Sequence, residues 1–410
     1  LNKSFFCFSF FLLTITAFYT QKLNFDSLIN IVSYSQNDTL RFNACLALGN
    51  YYQKNIPDSA IFFHLKSLEI RNKINSWSEL INKCRVLLQL GIDYSLKTDY
   101  NTAKRFFERG LRLSKNINKN EFIITRKKFE IEFYRNLGNL FFSQGDYNAA
   151  LEYYFHSKNI CEELNNKVSL SDLYTYIGEA YGNQGNLAKA LEFYFLAQKI
   201  DEELDNKKSQ AINLGNIGII YYEMGDLKKS LRYHLKSLEL NIKIGNNEGI
   251  SLNFGNLGTV YWSLGDFKNA LDYYFKAQSI DEKLVNKYGQ AANLCNIGIV
   301  YKELKNYEKS MEFYLRSLKI AEEIGNVHGQ AIVLGNLGML YDKMNKYIEA
   351  EKILKKAENM HRRLHSISGL KDVCLGLSEL FQRSHRYESA LYYYKEHIKA
   401  RDSVLSEENR

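Results

Sequence analysis

Hydrophobic positions recur along this chain at two nested intervals. The short interval is helical: Leu214, Ile217, Gly218 and Tyr221 lie on one stripe of a segment running from Lys207 to Met224. A second stripe, Ser230, Leu231, His234, Ser237 and Leu238, follows it. Between them Gly225 suits the left-handed backbone that ends a helix, and Asp226 suits the cap of the next. The long interval is 40 residues, stepping through Gly138, Gly178, Gly218, Gly258, Gly298 and Gly338, with Ser378 in the next place and Gly91 and Gly49 upstream. Asp146, Asn186, Asp266 and Asn306 repeat the cap. A two-helix unit cannot bury its apolar stripe alone and must stack on copies of itself. The pattern therefore predicts an all-α solenoid of about nine helix-turn-helix repeats between residues 38 and 405.

Small residues mark where the two helices of a copy approach: Gly178 with Ala190, Gly218 with Ser230, Gly258 with Ala270. Tyr181, Tyr221, Tyr261, Tyr301 and Tyr341 fill the space beside them and are assigned to the core. In "YRNLGNLFFSQGDYNAALEYYFHS", Tyr134, Leu137, Gly138, Phe141, Ala150, Tyr154 and Ser157 stand in order. This pattern resembles the tetratricopeptide repeat, and the resemblance covers most of the chain. It implies a right-handed superhelical solenoid. The 40-residue period and the lack of a proline after the second helix depart from the usual form. They are similar to the longer repeats of Pins/LGN-type adaptors and of bacterial signalling proteins. From Gly91 to Gly138 the step is 47 residues, and the insertion is expected to lengthen the third copy's first helix by about two turns. Lys305, Asn345 and His385 replace the turn glycine in the last copies, so the end of the array is expected to be less regular.

In such a solenoid the first helix of each copy lines the groove. Asn136, Asn216, Asn256, Asn296 and Asn336 recur there, with Tyr176 in the fourth copy and Gly376 in the ninth. Each carboxamide offers a donor and an acceptor. The resemblance implies that such a ladder holds the backbone of an extended peptide; the alternative is that each Asn bonds a neighbouring helix. Around the ladder the letters vary: Asn139, Glu179, Ile219, Thr259, Ile299 and Met339, then Phe142, Tyr222, Trp262, Lys302 and Asp342. Tyr222 and Trp262 are the candidate aromatic anchors, with burial between repeats as the alternative. Gly215, Asn216, Gly255 and Asn256 stand where a carboxylate clamp would need basic residues, which argues against chaperone C-termini as ligands.

The rest of the sequence changes this picture little. One proline, Pro57, among 410 residues agrees with an all-helical chain. A net charge of +8 with interspersed signs does not make a nucleic-acid footprint. Six scattered cysteines form no CxxC pair, and "HRRLH", with His361 and His365 one helical turn apart, lacks the glutamate of a metalloprotease. No P-loop or catalytic constellation is present, so the reading is a non-enzyme without metal or cofactor. "LNKSFFCFSFFLLTITAFYTQ" pairs a basic start with an uncharged apolar run, the shape of an export signal over residues 1–20. A linker over 21–37 and a tail over 406–410 complete the division. The expected role is an exported, periplasmic or envelope scaffold for a protein or peptide, touching a membrane only through an uncleaved signal anchor or a segment beyond Arg410. The alternative is the extracytoplasmic sensory region of a membrane signalling protein (histidine kinase, cyclase or DNA-binding regulator).

Overall fold

The computed structural model describes residues 25–70 and 76–408. The expected export signal at 1–20 lies outside the described residues, and so does Cys7. Among the described residues the chain forms nineteen α-helices and one short 3₁₀ helix, with no strand. The first helix, Phe25–Tyr34, falls inside the stretch expected to be a linker. It is a helix because Leu28, Ile31 and Val32 share a face, which packs on Ala44, Cys45 and Leu48.

Nine helix pairs follow, each with a helix A and a helix B. Repeats one to three pair Asp38–Tyr52 with Pro57–Ile70, Trp77–Leu96 with Tyr100–Ser114, and Ile123–Ser143 with Tyr147–Glu163. Repeats four to six pair Lys167–Asn183 with Leu187–Glu203, Lys207–Glu223 with Leu227–Lys243, and Asn247–Ser263 with Phe267–Lys283. Repeats seven to nine pair Lys287–Glu303 with Tyr307–Glu323, Val327–Lys343 with Tyr347–Arg363, and Ile367–Arg383 with Tyr387–Glu408. They fall into two compact units, one ending at Asn166 and one starting at Lys167. Within each unit consecutive pairs stack as a repeat solenoid.

In the first unit Leu80, Cys84, Leu88, Phe107, Phe133 and Leu137 form a core that joins repeats two and three. A buried polar contact ties repeat one to repeat two: His64 Nδ1 lies 2.5 Å from Asp93 Oδ2, and Gln53 donates to Asp93 Oδ1 at 2.7 Å. The insertion before repeat three departs from expectation. Helix Ile123–Ser143 has 21 residues against 17 in the later helices A, an extension of about one turn and not two. The remaining residues form a loop closed by the 3₁₀ helix Asn120–Phe122.

In repeats four to eight one contact locks each pair. The glycine of helix A faces a large side chain sixteen residues on: Gly178 meets Tyr194, Gly218 His234, Gly258 Tyr274, Gly298 Tyr314 and Gly338 Leu354. A Cβ on Gly298 would lie 2.6 Å from the Tyr314 ring. The glycine is thus small to admit a ring, and the small residue twelve positions on also lies close to it, as the sequence suggested: Ser310 donates to the Gly298 carbonyl at 2.8 Å. A second contact explains the small residues of the pair interface. Ser171 donates to the Ala197 carbonyl, Ser237 to Ala211, Ser251 to Ala277 and Ser317 to Ala291, at 2.6 to 3.3 Å. In repeats four to seven each pair therefore holds one serine and one alanine, the serine alternating between helix A and helix B.

The turns follow from local chemistry. Gly185, Gly225 and Gly265 hold φ of 76° to 77°, and Lys305, Asn345 and His385 keep the same left-handed turn without glycine. Asn186, Asp226, Asp266 and Asn306 cap helix B, and Asn206, Asn246, Asn286 and Asn326 cap helix A. Tyr181, Tyr221, Tyr261 and Tyr301 are half-buried; each stacks on the aromatic ring twelve residues later, with centroids 5.3 to 5.6 Å apart. Lys189, Lys229 and Lys309 sit over three of these rings. They are edges of the core, three of them shielded by a cation, and not its centre.

Candidate functional site

Successive helices A of the second unit touch one another, so they line one face. Residues at i, i+4 and i+7 on a helix share a side. On that side four consecutive repeats present the columns Ile212–Asn216–Ile219, Leu252–Asn256–Thr259, Ala292–Asn296–Ile299 and Ile332–Asn336–Met339. Two rows of mostly apolar side chains flank the asparagines. Ile212, Leu252, Ala292 and Ile332 are exposed, Leu252 by 65%. The columns on either side are acidic: Asp172–Tyr176–Glu179 in repeat four and Asp372–Gly376–Glu379 in repeat nine. The sequence reading found the asparagines and the row after them. It missed the row four residues before, which the same helical spacing would have revealed.

All five ladder asparagines are half-buried, but their partners differ. Asn136, in the first unit, donates to the Glu132 carbonyl of its own helix at 2.8 Å. Asn216 reaches the Glu179 carboxylate at 3.5 Å, and Asn336 the Cys295 sulfur at 3.6 Å, both on the preceding helix A. Among the described residues the side chains of Asn256 and Asn296 make no hydrogen bond, so their donors and acceptors remain open to a ligand. Tyr222 is half-buried, and its hydroxyl meets Ser263 Oγ of the next helix A at 2.9 Å. Trp262 is half-buried against the core of Tyr274, Leu294 and Ile297. Both aromatics therefore brace neighbouring repeats while keeping an exposed edge.

Ionisable groups on this face are shaped by burial. Desolvation raises Glu179 above the usual carboxylate range, against the Asn216 hydrogen bond. Desolvation also raises Asp342, although Arg383 bonds it from the next helix A. Burial pushes the Cys295 thiol up to about 11, so it is not a thiolate nucleophile at neutral pH. Cys45, Cys84, Cys161, Cys295 and Cys374 are all buried, and none is in a disulfide among the described residues. His361 is buried under Gly369, and its helix ends at Arg363, so His365 is not on the same helix as the sequence spacing suggested. Among the described residues no group of His, Cys, Asp and Glu is arranged to hold a metal ion, and no helix is long and apolar enough to cross a membrane.

Comparison with known proteins agrees with this architecture. No curated protein sequence matches the chain. Among solved structures, the apo form of the quorum sensor NprR from B. thuringiensis aligns with TM-score 0.64 and 15% identity, over 88% of this chain and 97% of that one. A Rap protein complexed with competence and sporulation factor aligns with TM-score 0.61 and 16% identity, over 91% of this chain and all of that one. The Rap conjugation gene regulator of plasmid pLS20, in complex with the Phr* peptide, aligns with TM-score 0.58 and 16% identity, over 89% of this chain and 96% of that one. At these identities the likeness is one of fold. A family profile described as tetratricopeptide repeat matches residues 130–203, 209–283 and 289–363, more than half of the chain. With the repeated two-helix unit, its turns and its glycine-to-ring packing, that match places this chain in the tetratricopeptide repeat family.

Proposed function

We propose that this protein is a non-catalytic scaffold that binds an extended peptide along the helix-A face of its second unit. One observation carries the reading: four consecutive columns place an asparagine between two rows of mostly apolar residues, and the asparagines of the two central columns make no side-chain hydrogen bond among the described residues. An extended strand repeats its backbone donors and acceptors and alternates its side chains between two sides. A row of carboxamides suits the former, and flanking apolar rows suit the latter. The solved Rap structures with competence and sporulation factor and with Phr* support a peptide as ligand.

The test is a selection of random decapeptides displayed on phage, followed by affinity measurement on the synthetic winner. Replacing Asn256 and Asn296 together with Ala should weaken it about fivefold to several hundredfold, as loss of two to four hydrogen bonds at roughly 0.5–1 kcal/mol each requires. An unchanged affinity would refute the reading. We further propose that the scaffold works outside the cytoplasm, on the strength of the apolar run after Lys3. Sequencing the mature protein checks this: an amino terminus near Gln21 is the expected result.

A further inference from the structure

Two carboxylates on the helix-A face of the second unit are at least half-buried, and among the described residues only one of them meets a cation. Asp342 is buried, and Arg383 of the next helix A donates to its Oδ2. Glu379 holds the other side of that guanidinium at 3.0 Å. Glu179 is half-buried, and its one side-chain partner among the described residues is the Asn216 amide, at 3.5 Å.

Beside Glu179 is a second unsatisfied group. Gly178 leaves room for the Tyr194 ring, which passes 2.8 Å from where a Cβ would stand and brings its hydroxyl toward the face. In two sister repeats the equivalent hydroxyl is bonded one residue past the glycine: Tyr154 donates to Asn139 Oδ1 at 2.8 Å, and Tyr274 meets Thr259 Oγ1 at 3.0 Å. The Tyr194 hydroxyl makes no hydrogen bond among the described residues, although the residue is only 3% exposed. The charges of Glu179 and Glu223 both act on it. A phenol oxygen without a hydrogen bond among the described residues and a half-buried carboxylate thus lie near each other, under a negative field.

We propose that Glu179, Tyr194 and Asn216 form a subsite for a cationic side chain, lysine or arginine, of the bound peptide. The inference rests on the reading of the face given above and adds the ligand's charge and its position. A desolvated carboxylate without a cation is costly, and an ammonium or guanidinium relieves that cost while donating to the carboxylate and to the phenol oxygen together. The Asp342–Arg383 pair shows the same chemistry satisfied from within the chain. The apolar columns begin one repeat on, at Ile212 and Ile219. The peptide's basic residue therefore precedes or follows an apolar stretch and does not interrupt it.

The same decapeptide selection tests this on the full chain. Winning sequences should share a lysine or arginine at one end of an apolar run. Glu179→Gln should weaken the winning peptide at least tenfold. Replacing that peptide's basic residue with norleucine should do the same, and the two losses should not add. Glu179→Lys should redirect the selection toward aspartate or glutamate at that position. If Glu179→Gln binds as well as the wild type while Asn256→Ala with Asn296→Ala does not bind, the subsite is wrong and the peptide face stands. If no peptide is selected, both fall.

Discussion

Repeats four to seven and repeats eight and nine share one backbone and hold it with different chemistry. In the earlier group every pair interface carries one serine donating to an alanine carbonyl. In repeat eight both positions are alanine, Ala331 and Ala357, and in repeat nine His397 meets the Lys371 carbonyl instead. Between the earlier repeats the junctions are polar: Asn213 donates to Asp201 at 2.8 Å, and Asn293 and Asn286 donate to Asp281 at 2.8 and 2.9 Å. The junction from repeat seven to eight holds Ala321 and Val333. Caps thin out as well, since Lys346 and Ser366 make no capping bond. The apolar junction shows that the polar ones are not required for stacking. They add directed bonds, which fix the register of repeats five to seven, three of the four that carry the asparagine columns.

The comparison breaks first at the ring under each glycine. Gly298→Ser in repeat seven drives a Cβ into the buried Tyr314 ring and should cost about 3 kcal/mol in urea unfolding. Repeat nine already has Ser378 there; its hydroxyl donates to the Ala390 carbonyl at 2.9 Å, and the facing Tyr394 is 49% exposed. Ser378→Ala should therefore cost only about 1 kcal/mol. Equal losses would show that the two ends pack alike.

At the junctions, Asp281→Ala strands the Asn293 and Asn286 amides and should cost about 2 kcal/mol. Adding Asn293→Val recreates the Ala321–Val333 pair found one junction later and should recover about half of that loss. A double variant no better than the single one would mean the polar junction is irreplaceable where it stands.

The smallest effect is a matter of pH. Burial lowers His234 to about 4, so the folded protein keeps it neutral while the unfolded chain takes up its proton near 6.5. Its share of stability is whole above pH 6.5 and falls by about 1.4 kcal/mol per unit as the pH drops toward 4. Repeat eight has Leu354 in the same place under Gly338. His234→Leu should flatten that part of the stability profile, and a profile of unchanged slope would contradict the assignment.

Much of the fold was legible before the structure. The 40-residue step, the turn glycines and the cap residues are local signals, each acting within a few residues of itself, and they located every helix pair. The helix Phe25–Tyr34 was missed because it is a single turnless segment outside the repeat, recognisable only by the face it lays on repeat one. The extra residues before Ile123 could have lengthened a helix or a loop, and no local signal divided them.

The sequence by itself determined that the chain is a stack of two-helix repeats and which residue types recur on one side of helix A, because helical spacing is a short-range property. The tertiary structure decided the rest of the site. Asn216 and Asn336 find partners on the preceding helix A, while Asn256 and Asn296 have none among the described residues. Asp342 meets Arg383, while among the described residues Glu179 meets only the Asn216 amide and no cation, and the Tyr194 hydroxyl makes no hydrogen bond. Those differences depend on side chains about forty residues apart in sequence, on neighbouring helices. Only the stacked repeats bring them within bonding distance, and so only they separate a position already satisfied from one left open for a ligand.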